Sequence, residues 1–445
     1  VASEAGGHEP QTDSPPVLIR GGKLLLGNGK SIERGFVLMR GGKIAAVGAG
    51  DGDAPAGARI IDATGRFVTP GLIDTHSHIG VYPTPYVEAH NDGNEMTTPV
   101  TPGVRAVDAF WVQDPGIQRA LAGGVTTIQA LPGSGNLIGG RAVTLKLRKA
   151  TTARAMHFQG APDGLKMACG ENPKRVYGER KQTPMTRMGN LALQREAFLK
   201  AKRLVREWDE WRDKEKKRRE EEKKPPVEGE DEQKPAEPTL PPARDVHLET
   251  LAAAIEGRVL VHVHCYRSDD MANMIALADE MGFAIRSFHH ALEAYKIRDL
   301  LADKHISVST WADWWGFKME AYDGIPENLA LVSAAGGRAI VHSDSREGIR
   351  RLNQEAAKGM YAGRHGGIDI SDGEALRWVT ANPAWALGVH KRAGTLEKGK
   401  DADVVIWDHP PFSVYARADK VFVDGVERHD GSAEQDTWSD FEAKP

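Results

Sequence analysis

An apolar run, Val68-Thr69-Pro70-Gly71-Leu72-Ile73-Asp74-Thr75, ends in His76-Ser77-His78. In a β-strand alternate side chains face the same way, so a strand here delivers two imidazoles to one side at its end. That arrangement suits a divalent metal such as zinc. A lone HxH is as readily a pair of packed neighbours, but here the pattern recurs. Val261-His262-Val263-His264-Cys265 is a second apolar run closing on an HxH. Phe288-His289-His290 ends the next strand candidate, and Val341-His342-Ser343-Asp344 ends the last. An inward carboxylate at a strand end is costly unless it is paired or bound to metal, which marks Asp344.

The segments carrying these endings alternate with helical ones. Strand candidates are 125–128, 259–264, 284–288, 306–309 and 339–342; helix candidates between them include 268–281 and 291–302. Repeated β-then-α units predict an α/β fold, a (β/α)8 barrel over 70–390, with its active site at the C-terminal strand ends. Short strands punctuated by Gly-Gly turns fill 17–69, and strand signals return at 403–407 and 421–425. Gly-Gly between β-rich runs is a hairpin signal, and the two ends, 17–69 and 391–430, are expected to form one small β-sandwich domain. A charged insertion, about 190–243, interrupts the barrel. It begins as a helix, with Ala197, Ala201, Leu204, Trp208 and Trp211 on one stripe, and runs into a linker rich in Pro, Glu and Asp. Residues 1–16 read as a disordered leader and 431–445 as a tail.

Bulk properties exclude some classes. A net charge of −4 over 445 residues gives no reason to expect nucleic acid as a partner. No stretch is apolar enough, for long enough, to span a bilayer. Two cysteines, Cys169 and Cys265, are not a disulfide framework, and sequence leaves a single bridge open. The first residues, Val1-Ala2-Ser3, are consistent with removal of a signal peptide, which sets the expectation of a periplasmic or secreted protein; the alternative is cytoplasmic.

The ordered set of motifs resembles the amidohydrolase superfamily of metal-dependent hydrolases, in its imidazolonepropionase-like and Xaa-dipeptidase-like branch. The resemblance covers nearly the whole chain. It runs from Pro70-Gly71-Leu72-Ile73-Asp74-Thr75-His76-Ser77-His78 through Gly123-Gly124-Val125-Thr126-Thr127, His264, His290-Ala291-Leu292-Glu293 and Ser343-Asp344-Ser345. It closes with Thr380-Ala381-Asn382-Pro383-Ala384 and Gly394-Thr395-Leu396-Glu397-Lys398-Gly399-Lys400-Asp401-Ala402-Asp403. It implies His76 and His78 as ligands of one metal, His264 and His290 as ligands from the fifth and sixth strands, and Asp344 as ligand and proton acceptor on the eighth. His262 and His289 stand as alternates to their neighbours. Zinc, one or two ions per chain, is the implied cofactor. Two-ion members need an anionic bridge, for which Lys166, as a carboxylated lysine, is preferred to Glu171.

The implied chemistry is hydrolysis. A metal lowers the pKa of bound water from 15.7 towards about 7. Asp344 takes the water proton and passes it to the leaving nitrogen, and His262 or His342 stabilises the oxyanion. Deaminases of the superfamily carry a glutamate shortly after the fifth-strand histidine; here His264 is followed by Cys265-Tyr266-Arg267-Ser268. An amide or peptide substrate is therefore expected, as for a dipeptidase or N-acyl amino acid hydrolase, with Tyr266 and Arg267 holding a substrate carboxylate. A cyclic amide or lactone is the second reading. A catalytically inactive barrel used as a binding module is the third. Pro132–Gly140 reads as a flexible loop at the pocket, Trp311, Trp314 and Trp315 as a pocket wall, and a homo-oligomer is an expectation by analogy.

Overall fold

In a computed structural model describing residues 15–223 and 240–433, the strand signals separate into two sheets. The expected leader falls almost wholly, and the linker and tail largely, outside the described residues. Strands β1 (Val17–Leu25), β2 (Ser31–Arg40), β3 (Lys43–Ala49), β4 (Arg59–Asp62) and β5 (Phe67–Pro70) come from the front of the chain. Strands β6 (Leu72–Ser77), β7 (Val125–Ala130), β8 (Ile138–Lys146), β9 (Gly164–Ala168), β10 (Leu260–Cys265), β11 (Ile285–His290), β12 (Ser307–Thr310) and β13 (Arg338–Val341) follow in the middle. Strands β14 (Val404–Trp407), β15 (Ala418–Val423) and β16 (Val426–Asp430) end the described chain.

One sheet joins both chain ends in the order β16-β15-β14-β5-β1-β2-β3, with β4 beside β1. Its central pairing sets β14 antiparallel to β5, so the last strands return onto the first. The other sheet runs β6 through β13 in chain order, the wall of a nearly closed barrel. Its two end strands are strapped together beyond the ladder. Asp344 N–H donates to the His76 carbonyl at 3.0 Å, and Ser343 donates to the Asp74 carboxylate through both N–H and Oγ.

The barrel departs from a strict (β/α)8 repeat at β8, which lies antiparallel to both β7 and β9. Residues 132–140 were expected to be a flexible loop. Instead they turn directly into this strand and are mostly buried. Asn136 donates to Glu95 O and Thr101 Oγ1 at 2.7 Å each, and Tyr177 donates to Asn136 Oδ1 at 2.6 Å. Those bonds supply the partners that a buried polar loop requires. The helix Ser268–Met281 spans the residues expected of it, whereas 291–302 divides into a 3-10 turn, Ala294–Ile297, and a short helix, Arg298–Asp303. The insertion begins as a 35-residue helix, Arg187–Glu221, capped by Thr186 and docked through Ala197, Phe198, Ala201 and Leu204. Phe198 stacks on Phe283 at 4.2 Å.

Because β8 runs against its neighbours, its last residue, Lys146, arrives at the barrel floor. There its ammonium is buried over the Phe158 ring, 2.7 Å from Asp401, 3.2 Å from Asp403 and in contact with Asp424. All three carboxylates come from the returning C-terminal segment. Lys43 and Arg392 also pair with Asp401, and Arg148 with Asp424. Burial, which by itself lowers the Lys146 pKa, is outweighed by the three carboxylates, so the ammonium is held above its usual value. Burial raises Asp403 to about 6, against the pull of Lys146.

Removing one partner of a buried ion cluster strands the others. Lys146→Met is therefore expected to cost roughly 3–5 kcal/mol at pH 7, read by urea unfolding. The deficit should shrink as the pH falls and the carboxylates take up protons. Asp403 itself, raised in the folded state, favours folding below about pH 4 and loses that contribution as the pH rises through about 6. An unchanged unfolding midpoint in Lys146→Met would show that the floor cluster does not hold the two sheets together.

Candidate metal centre

The mouth of the barrel gathers the strand-end residues. β6 carries an extra residue relative to β7 between Asp74 and Ser77, a bulge that lets neighbouring side chains turn inward. Thr75 Oγ1 reaches Ser309 Oγ across the interior at 3.0 Å, while His76 reaches the opposite wall. His76 Nε2 lies 3.3 Å from His78 Nε2, 3.2 Å from Lys166 Nζ and 3.4 Å from Asp344 Oδ1; His78 Nε2 is 3.1 Å from the same Asp344 oxygen. Four potential donor atoms thus converge on one point. His290 Nδ1, buried and without a hydrogen-bond partner among the described residues, is 4.0 Å from the other Asp344 oxygen. The His264 ring stands edge-on to His290 at 4.4 Å. His76, His290 and His342 also bring one nitrogen each within 4.8 Å of one another.

Backbone and charge both fit a ligating role. His290 and Asp344 hold positive φ, 69° and 48°, a costly conformation for residues with a Cβ that recurs where side chains must be aimed. Burial holds His76, His264, His289 and His290 well below the ordinary imidazole pKa and brings His262 and His342 to about 3. These rings are neutral, the form that binds metal. Burial also lowers Lys166 to about 7, so a large share of its amine is uncharged near neutral pH. Burial alone would raise Asp344, but the hydrogen bond and charge of His78, with His342 and Lys166, pull it below the usual carboxylate value. His78 Nδ1 is bonded to the Leu131 carbonyl at 2.8 Å, which directs Nε2 inward. The donor set, nitrogen-rich with one carboxylate and part-satisfied, fits a divalent ion.

The sequence profile of the Amidohydrolase family matches residues 201–429. An amidohydrolase from Thermotoga maritima MSB8 has a similar structure, with TM-score 0.80, 34% identity, and coverage of 93% of this chain and 100% of that one. The chain belongs to the amidohydrolase family. Amidohydrolase tasK of Hapsidospora irregularis is 36% identical over 415 residues, 90% of this chain but 39% of that protein. An imidazolonepropionase of Klebsiella pneumoniae is 37% identical over 120 residues, 23% of this chain and 29% of its own. The chain spans well under half the length of these two curated relatives.

Within this amidohydrolase barrel, several expected site residues lie away from the convergence point. His262 and His289, weighed as alternate ligands, form a row behind His76: His289 contacts His76 Nδ1, and His262 contacts His289. His262 thus stands two rings behind the His76 Nε2 face of the site. Glu171 starts the helix Glu171–Glu179 and pairs with Lys318 at 3.4 Å rather than with a histidine. Arg267 turns outward into a two-point bond with Asp269 and borders a separate cavity with Glu171 and Arg187. Tyr266 borders the candidate centre, stacked on His290 at 4.9 Å, and Trp311 stacks against the same imidazole at 4.6 Å, 6.4 Å from the Tyr266 ring. Trp314 stacks on Trp311, while Trp315 is half-exposed.

Two neighbours were not legible in the sequence. Lys318 places its ammonium 4.0 Å over the Tyr266 ring and 3.1 Å from Asn172 Oδ1, and Asn172 Nδ2 contacts His264 Nε2 at 3.3 Å. Both sit outside the strands whose endings carry the motif. Directly beside them, Cys169 and Cys265 form a disulfide across the ends of β9 and β10, the strands that bear Lys166 and His264. A bridge over a separation of 96 residues restricts the unfolded chain. Reduction, or the Cys169→Ala/Cys265→Ala pair, is expected to lower stability by roughly 2–4 kcal/mol in urea unfolding. Identical midpoints with and without reductant would show that no such bridge forms.

Proposed function

We propose that this protein is a metal-dependent hydrolase that cleaves an amide or peptide C–N bond, acting as a dipeptidase or N-acyl amino acid hydrolase. The observation that carries the reading is the convergence of His76 Nε2, His78 Nε2, Asp344 Oδ1 and Lys166 Nζ within 3.1–3.4 Å contacts. His76, His78 and Asp344 would hold one ion, and His264 with His290 a second. Zinc suits the imidazole-rich set. When bound, such an ion supplies Lewis acidity and makes hydroxide accessible near neutral pH.

The chain's own groups do the rest. Asp344, ionised and 26% open to solvent, accepts the proton of the attacking water and returns it to the leaving nitrogen. His342 Nε2 accepts the His290 backbone N–H at 3.3 Å, so its proton sits on Nδ1, which has no acceptor among the described residues. That N–H is the donor for the developing oxyanion. Lys166, with its pKa lowered to about 7, is a nucleophilic amine. Addition of CO2 would form one N–C bond as one C=O π bond opens onto oxygen, with the amine N–H proton released, and the resulting carbamate would offer the centre an anionic ligand. Its side chain, not Glu171, touches His76. Tyr82, Tyr86 and Trp314 border a cavity of about 490 Å³ that opens onto His78 and Asp344, room for a small substrate. Lys318, over Tyr266, is held by Glu171 at 3.4 Å and Glu320 at 3.6 Å. The disulfide supports an oxidising compartment, periplasmic or extracellular. Among the described residues, no helix is long and apolar enough to cross a membrane.

Cyclic amides and lactones use the same groups and form the second reading. The test is elemental analysis of protein prepared with zinc supplied, beside a panel of dipeptides, N-acyl amino acids, cyclic imides and lactones. We expect one or two ions per chain, reduced in His76→Ala and Lys166→Ala. Asp344→Asn should keep the fold and lower kcat by roughly 10²–10⁴. Bound metal with turnover confined to the cyclic substrates would favour the second reading. Protein that takes up no metal would overturn the enzyme reading and leave a binding module.

A further inference from the structure

Three imidazoles form an unbroken buried chain leading away from the candidate metal centre. His76 Nδ1 lies 2.9 Å from His289 Nδ1, and the other nitrogen of His289, Nε2, lies 2.9 Å from His262 Nδ1. His262 and His289 are fully buried, and His76 nearly so. Rings this deep that meet one another are uncharged, because a buried charge without a counter-ion is costly. A neutral imidazole carries one N–H and one lone pair, so each ring that donates on one side must accept on the other. The chain can therefore run in only two directions. If His76 donates from Nδ1, His289 donates from Nε2 and the last proton rests on His262 Nε2. If the order is reversed, His76 carries its proton on Nε2, and that nitrogen has no lone pair to offer the centre.

The far end of the chain is built to receive a donor. Among the described residues His262 Nε2 has no partner, and neither do the two amide atoms of the buried Gln129 or the Thr127 hydroxyl. His262 and Gln129 meet above Gly164, where a Cβ would come within 2.8 Å of the Gln129 amide nitrogen and 3.1 Å of the His262 ring. Thr127 in turn faces Lys146 across β7 and β8. Interiors of such barrels are ordinarily packed with branched apolar side chains. Here a polar column runs from the donor centre towards the floor cluster. Buried polar atoms of this kind are ordinarily satisfied by internal water.

Resting on the hydrolase reading above, we propose that His289 and His262 are positioning residues. They fix the His76 tautomer with its proton on Nδ1, so that the Nε2 lone pair faces the ion, and they end in an internal water site at Gln129. Partners that orient a metal-bound histidine are worth roughly 10- to 100-fold in metal affinity. His289→Phe removes both bonds and should weaken zinc binding by roughly that factor, measured by chelator competition with the folded state checked by circular dichroism. His289→Gln should recover most of the loss, because its carbonyl can accept from His76 while its amide donates to His262. Neutron diffraction from the zinc-loaded wild-type protein reads the arrangement without a variant. Deuterons are expected on His76 Nδ1, His289 Nε2 and His262 Nε2, with an ordered D2O between His262 and Gln129. Opposite deuteron positions, a dry column, or equal zinc affinity in folded His289→Phe and wild type would overturn the proposal while leaving the hydrolase reading standing. A wild-type protein that binds no zinc would instead bring down the hydrolase reading itself.

Discussion

The constraint on which the site depends is the crowding of neutral and charged donor groups around His76. Its Nε2 has His78, Lys166 and Asp344 within 3.4 Å, and its Nδ1 has His289 at 2.9 Å. Polar groups removed from water must be satisfied by one another or by a ligand. The surrounding structure serves that requirement. The bulge in β6 turns His76 inward, the left-handed backbone at His290 and Asp344 aims their side chains, and the strap from Ser343 to Asp74 closes the barrel beside them. Asp74 itself is raised to about 7 by burial, although bonds from Ser343 and His76 oppose the shift.

A second concentration of buried charge lies at the opposite end. Lys146 and its three aspartates hold the returning C-terminal strands against the barrel floor. This depends on the reversed direction of β8. A parallel third strand would end at the mouth instead and place its last residue among the histidines. The polar side chains of Gln129, Thr127 and His262 lie between the two clusters, where most barrels place apolar layers. The disulfide between Cys169 and Cys265 ties two adjacent strands at the mouth, directly beside the ligand candidates they carry.

Much of this was legible in the chain because its signals are local. Apolar runs closing on His76-Ser77-His78, on His264 and on Asp344 report strands whose ends carry chemistry, and the helix Ser268–Met281 follows from its periodicity. Strand β8 was hidden by Gly133, Gly135, Gly139 and Gly140, which read as a loop. Its strand state is fixed by pairing on both sides, which is a non-local property. Arg267 read as a substrate contact because it follows His264 closely, yet the nearby Asp269 draws it outward.

The sequence by itself determined that strands and helices alternate, that histidines and one aspartate stand at strand ends, and that the two chain ends are β-rich. These depend on periodicities of two and 3.6 residues and need no knowledge of neighbours. Only the tertiary structure decided the depth of each imidazole. His262 pairs in register with Lys166, and His264 with Ala168 one step nearer the mouth. That step separates a ring behind His76 from one at the candidate centre. Alternation gives both histidines of an HxH the same face, but the height of each along the barrel is set by the register and stagger of strands distant in sequence.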